Sequence, residues 1–413
     1  MQYSFEYLNN EVRSLLARLN QVKPFSMTMP MVKGASIGQA AYKDVIALLE
    51  REKSILRKGI NKFIEDLKGA ERLQIDERHF QSRFTVLKIR FNNILDQLDI
   101  FADVLSQRGE YDVGIWAAGL DVLAEDGLKV LEPFTELPNL MVYLDRGHGA
   151  AIRRARTRLP GGVQNPVAII QVPRERMVGS GIASSLIHEV GHQAAALLDL
   201  VPSLNTVLAK KATSSPDKLA WKYFGRCISE IVSDVWAMGH LGISATLGLM
   251  GVVTLPRYFQ FRLNASDPHP APYIRVQLSC AFGKQLYPHE QWDILWEMWT
   301  RFYPKKGLDA ASIRIINTIE KQIDPFVHLV IHHTTGKMQA KKLNELFPLQ
   351  KREPRKLQEQ YQLWKSKKLQ LQSMPPTLVF ALFGQAKFDL AIGAQEESQV
   401  LTQQLRRWAF ERN

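Results

Sequence analysis

Cysteine is nearly missing: Cys227 and Cys280 are the only two in 413 residues. So few exclude a disulfide framework in a chain of this size and make a reducing compartment the simplest expectation. Long apolar runs are missing too. The most membrane-like stretch, LGISATLGLMGVVTL from Leu241 to Leu255, is shorter than the roughly 18 to 20 residues that cross a bilayer. It reads as a buried helix, or as a lid beside a site. The opening MQYSFEYLNNEVRSLL carries acidic and amide residues where a secretory signal would have a basic start and an apolar segment. A cytoplasmic protein with no transmembrane segment is the expectation. Acidic residues are also in deficit, with 41 Asp and Glu against 53 Lys and Arg, a formal net charge of +12. That balance permits an acidic docking partner but says nothing of fold. The excess gathers in RRARTR, Arg153 to Arg158, and between Lys337 and Lys368. Neither stretch interleaves aromatics as a base-stacking platform does, and neither carries a nucleic-acid motif, so both read as solvated faces.

What is present is an ordinary globular composition, 46% hydrophobic and 23% charged, long enough for two or three domains around a large core. From Glu6 to about Glu136 apolar residues recur every three or four positions, as in FTVLKIRFNNILDQLDIFADVL, and predict an antiparallel helical region interrupted by the loop Val22 to Ser36. LMVYLD, Leu140 to Asp145, and PVAIIQVP, Pro166 to Pro173, are short branched runs that predict a small sheet. A helix follows, capped by Ser180 and closed by Pro202, with Ile182, Leu186, Val190 and Leu197 facing the core. KLAWKYFGRCISEIVSDVWAMGHLG predicts another, its core stripe Phe224, Ile228, Ile231, Val235 and Met238. Helices continue through Trp292 to Trp299 and Ile313 to Leu329, and charged helix runs from about Thr334, broken at Met374, Pro375 and Pro376. The organisation expected is a helical N-terminal region (1–136), a central α+β domain (137–335) and a basic helical C-terminal region (336–413).

One stretch stands out chemically. LIHEVGHQ, Leu186 to Gln193, places His188 and His192 one turn apart on one helix face, where two imidazoles can share one ion. Glu189 then stands beside the metal as a general base for a zinc-bound water. The continuation HEVGHQAAALL excludes the class that takes a third histidine from HExxHxxGxxH. Downstream, SEIVSD offers Glu230 and Asp234 one turn apart beside an apolar stripe, where acids are costly to desolvate unless paired. Glu230 on a metal and Asp234 on the free N–H of a ligand imidazole would satisfy both.

HExxH on one helix with E-x-x-x-D on a later one resembles the gluzincins, the thermolysin-like zinc metallopeptidases. The resemblance implies one zinc ion held by His188, His192 and Glu230, with Asp234 behind a ligand and a thermolysin-like core carrying the site. Two departures are visible: LNTVLAKKATSSPDKLAW lengthens the interval between the motifs, and Ser229 stands where thermolysin has Asn. DPHPAPYIRV, Asp267 to Val276, is similar to a His-Pro element followed by Arg in some members. It makes His269 the first candidate for the donor to the oxyanion, with Arg275 ordering it or binding substrate. Tyr223, seven residues before Glu230 on nearly the same helix face, is the second candidate. His240 is expected to face away, and His148, His328, His332 and His333 show no metal-like pairing.

The strand PVAIIQV, placed before the HExxH helix, is expected to accept an extended peptide by β-addition. The sequence therefore reads as a zinc metallopeptidase acting on a peptide or protein. Two alternatives use the same residues: a zinc-stabilised, catalytically inactive binding or scaffold protein, and a hydrolase of non-peptide amides.

Overall fold

A computed structural model describes residues 2–23, 25, 31–73, 76–145, 150–174, 179–264 and 266–412. His148 lies outside them. Helical periodicity at the N-terminal end becomes three long helices, α1 (Gln2–Gln21), α2 (Gln39–Leu73) and α3 (Glu77–Ser106). Their apolar stripes meet in a cluster of their own around Val12, Leu15, Ile60, Phe63, Phe80 and Phe84. Asp76 starts α3 by accepting a hydrogen bond from the Arg78 N–H. After α4 (Tyr111–Leu128) come the three strands found among the described residues, β1 (Leu140–Asp145), β2 (Ala151–Arg153) and β3 (Ala168–Pro173).

The sheet order is β1-β3-β2, with β3 parallel to β1 and antiparallel to β2. Period-two alternation divides its side chains between two cores. Leu140, Val142, Leu144, Ala168, Ile170 and Val172 join the main core, whereas Met141 and Ile169 turn to α2 and α3. The expectation that β3 accepts an extended peptide by β-addition is corrected, because it is the central strand, paired on both sides. The edges are β1 and the more exposed β2.

α5 (Gly181–Leu197) follows the sheet, then α6 (Leu200–Ser214), α7 (Lys218–Leu241) and α8 (Ile243–Val253). The predicted core residues of α7 are all buried, and so are Ile182, Leu186 and Val190 of α5. Two terminal signals were misread. Ser180 makes no side-chain cap; its backbone N–H donates at 2.9 Å to the buried Glu397 carboxylate, 217 residues away. The helix ends at Leu198, where left-handed Asp199 (φ 54°) turns the chain, and Pro202 sits in the first turn of α6, where its missing N–H costs nothing. The stretch read as an insertion is largely α6.

Leu241 to Leu255 is mostly the buried α8, whose Ala245 carbonyl accepts from the Ser184 hydroxyl of α5 at 2.9 Å. Among the described residues no helix is long and apolar enough to cross a membrane. Beyond it lie α9 (Arg257–Gln260), α10 (Pro272–Leu286), α11 (Gln291–Phe302), α12 (Ala310–Lys321) and α13 (Ile323–Ile331). Charged helix does not begin at Thr334. Residues 336–352 form short 3-10 turns before α14 (Pro354–Lys365), α15 (Pro376–Phe388) and α16 (Ala394–Arg412). The main core runs from Trp116 to Trp408, so the last helices share it with α5 and α7. The fold is predominantly helical with one small sheet.

Candidate metal centre

α5 and α7 approach unusually closely at Gly191. A Cβ there would lie 2.8 Å from the Ser233 Cα and 2.9 Å from the Trp236 Cβ, so only glycine admits the contact. The approach brings His188 and His192 of α5 against Glu230 of α7. One ligand atom from each of the three lies within 4.8 Å of the others. Nε2 of His188 is 3.2 Å from one Glu230 oxygen, and Nε2 of His192 is 3.5 Å from the other.

The outer nitrogens are engaged behind them. Nδ1 of His188 lies 2.8 Å from Asp234, and Nδ1 of His192 lies 3.3 Å from the Ser229 hydroxyl. An ionised Asp234 only accepts, so His188 donates from Nδ1 and its Nε2 is left to face a carboxylate oxygen. Two lone pairs in that position repel unless a cation lies between them. Without a metal the cation is a proton: burial works against it, but Asp234 and then Glu230 raise the His188 pKa to about 9. Burial and the neighbouring His188 charge lower that of His192 to about 4. Burial also opposes the charge on Glu230, yet hydrogen bonds from His188 and His269 hold its carboxyl well below the usual range. Two imidazoles and one carboxylate, with both rings braced from behind, are a donor set that fits a divalent cation.

Glu189 is buried beside these ligands, 6% exposed, and burial followed by the Glu230 charge raises its pKa to about 7, against the pull of His188. Arg275, 9% exposed, neither orders His269 nor faces solvent. It grips Asp234 with both arms, Nε at 2.7 Å and Nη2 at 2.8 Å, and so holds the carboxylate that holds His188. His269 reaches the centre from the loop before α10, its Nε2 3.2 Å from Glu230 and its Nδ1 2.9 Å from Asp267. Tyr223 is buried at the back of that loop, and its hydroxyl accepts the Ala271 N–H at 2.8 Å. It supports the segment carrying His269 and does not itself reach the three ligands.

Three other stretches with described histidines stand apart from the centre. His240 is buried against Trp236 and Phe347. His333 meets the Ser203 hydroxyl at 2.8 Å, and His328 lies beside His332. Asp267, Ser229 and Gly191 were not singled out from sequence as site residues. Asp267 is two residues before His269, and Ser229 immediately precedes Glu230, which were the available signals. On the opposite rim, Gln193 of α5 accepts the Ala155 N–H at 2.9 Å and fastens the chain just after β2 beside His192.

Compared with protein families, with curated proteins and with solved structures, the chain matches none.

Proposed function

We propose that this chain is a zinc metallopeptidase of the gluzincin kind with a thermolysin-like catalytic core. The observation that carries the reading is the convergence of His188, His192 and Glu230 within 4.8 Å, with buried Glu189 next to His188. Two nitrogens and one oxygen suit zinc with a fourth position left for water or substrate. Bound there, zinc supplies Lewis acidity that polarises a carbonyl and makes water more acidic.

The chain's own residues supply the rest. Glu189, buried next to His188, takes the proton of the attacking water and passes it to the leaving amine. His269, its Nδ1 tied to Asp267, is the donor to the oxygen on which negative charge develops, its Nε2 leaving Glu230 to do so. Arg275 and Asp234 keep His188 in one tautomer and one orientation through the cycle. An extended peptide lies along the exposed β2 edge, which Gln193 ties to the helix carrying His192.

The test compares wild type with Glu189→Gln for metal content and for cleavage of a peptide library. Zinc in both proteins and cleavage only by wild type is expected. Cleavage by the variant overturns the role of Glu189. Zinc in both with no cleavage by either favours the inactive binding protein, and cleavage confined to non-peptide amides moves the substrate class.

A further inference from the structure

One stripe of α7 stays outside the core. Lys218, Lys222 and Arg226 are exposed at every fourth residue, and the next position in the series is Glu230. Steps of four turn about 40° round an α-helix, so Arg226 lies nearly in line with Glu230 while Lys222 and Lys218 fall progressively to one side, about 80° and 120° away. They line a cavity of 640 Å³ whose other wall includes Leu219, Leu263 and Ile315. Tyr223 lines the cavity and also buttresses the loop that carries His269. The Arg226 guanidinium lies 5.1 Å from the centre of the Tyr223 ring, whose hydroxyl holds Ala271, two residues past His269.

Of these cations Arg226 has a carboxylate near enough to feel its charge, Asp267, and that carboxylate is already held by His269. Asp217 accepts from Gln322 at 2.7 Å and Asp267 from His269 at 2.9 Å, and among the described residues no carboxylate forms an ion pair with Lys218, Lys222 or Arg226. Mutual repulsion of three cations around an apolar-walled cavity is relieved by an anion inside it.

We propose that this cavity is a carboxylate-binding subsite of the metal centre, filled by an acidic side chain or by the C-terminal carboxylate of a peptide. The inference rests on the peptidase reading for what is bound, and it specifies which peptides. Arg226 is one turn, about 6 Å, from Glu230, and an extended peptide advances about 3.3 Å per residue. The carboxylate therefore falls roughly two residues from the bond at the metal. Leu219, Leu263 and Ile315 cover the methylene stem while the guanidinium and ammonium groups take the charge.

The experiment measures binding without turnover. Zinc-loaded Glu189→Gln protein is titrated against three fluorescein-labelled peptides of equal length by anisotropy: one with a central Glu pair and an amidated end, one with Gln in its place, and the Gln peptide with a free C-terminus. At least one acidic peptide is expected to bind about tenfold or more tightly than the neutral one. Preference for the Glu peptide assigns the pocket to a side chain, and preference for the free acid assigns it to a chain end. Adding Lys222→Glu and Arg226→Glu removes the preference and leaves binding of the neutral amide unchanged, with zinc content and circular dichroism as folding controls. Equal binding of all three, no binding of any, or a preference that survives both reversals overturns the subsite. Cleavage by wild type is scored separately, so failure of the peptidase reading and failure of the subsite are distinguishable.

Discussion

Nδ1 of His188 lies 2.8 Å from Oδ1 of Asp234, and that oxygen also accepts from Arg275 Nη2 at 2.8 Å. On the zinc reading, the contact makes metal affinity depend on two residues that are not ligands. Asp234→Asn removes the charge that makes His188 a stronger base, and Arg275→Lys replaces a two-pronged grip by a single point of contact. Each substitution is expected to weaken zinc binding by about 10- to 100-fold, measured by competition with a chromophoric chelator. Affinity unchanged in both would mean that the Arg275–Asp234–His188 chain does not tune the metal.

The close approach at Gly191 carries a second prediction. In Gly191→Ala the new methyl meets backbone of α7, which has no flexible end to move aside. A loss of about 1–3 kcal/mol is expected from overpacking, together with weaker zinc binding as the ligand-bearing helices separate. Gly251→Ala on α8 is the control, because a Cβ there meets nothing within 4 Å. Denaturant melts of the two variants decide the matter; equal melts would show that α5 and α7 have room to spare.

Local signals made much of this site legible and topology hid the rest. His188, Glu189 and His192 follow from helical spacing, and Glu230 with Asp234 from acids placed next to an apolar stripe. The strands at Leu140–Asp145 and Ala168–Pro173 announced themselves by branched residues, but their order did not, because three-residue β2 carries no periodicity. Ser180 looked like a cap in sequence, while the group that accepts its N–H is Glu397 from the last helix. Arg275 was visible as a cation near a His-Pro element, yet its partner lies on α7, 41 residues earlier. What escaped was long-range pairing, in which neither residue looks unusual until the other is beside it.

His240 provides a pH prediction. It is 1% exposed, and neither ring nitrogen has a hydrogen-bond partner among the described residues. Burial first, and then the Arg352 charge, hold its pKa well below 6.5. In the unfolded chain the ring takes a proton at about 6.5, so below that pH the unfolded state binds more protons and stability falls as pH falls. The loss is at most about 1.4 kcal/mol per pH unit. His240→Phe keeps an aromatic ring against Trp236 and Phe347, and it is expected to flatten the stability profile between pH 6.5 and 5. A profile as steep as that of wild type would place the acid sensitivity elsewhere.

The last prediction separates a residue that meets the reacting oxygen from one that acts through it. If His269 donates to the developing charge, His269→Ala lowers kcat by about 100-fold with little change in KM. Tyr223→Phe leaves the buried Ala271 N–H without its acceptor, so the loop carrying His269 loses an anchor. A smaller fall in kcat is expected, with zinc content unchanged because Tyr223 does not touch the ligands. The double variant is decisive, since substitutions acting through one group are not additive. With His269 already gone, losing the Tyr223 hydroxyl should cost nothing further in kcat. A full additional loss would mean that Tyr223 serves the reaction by a route of its own.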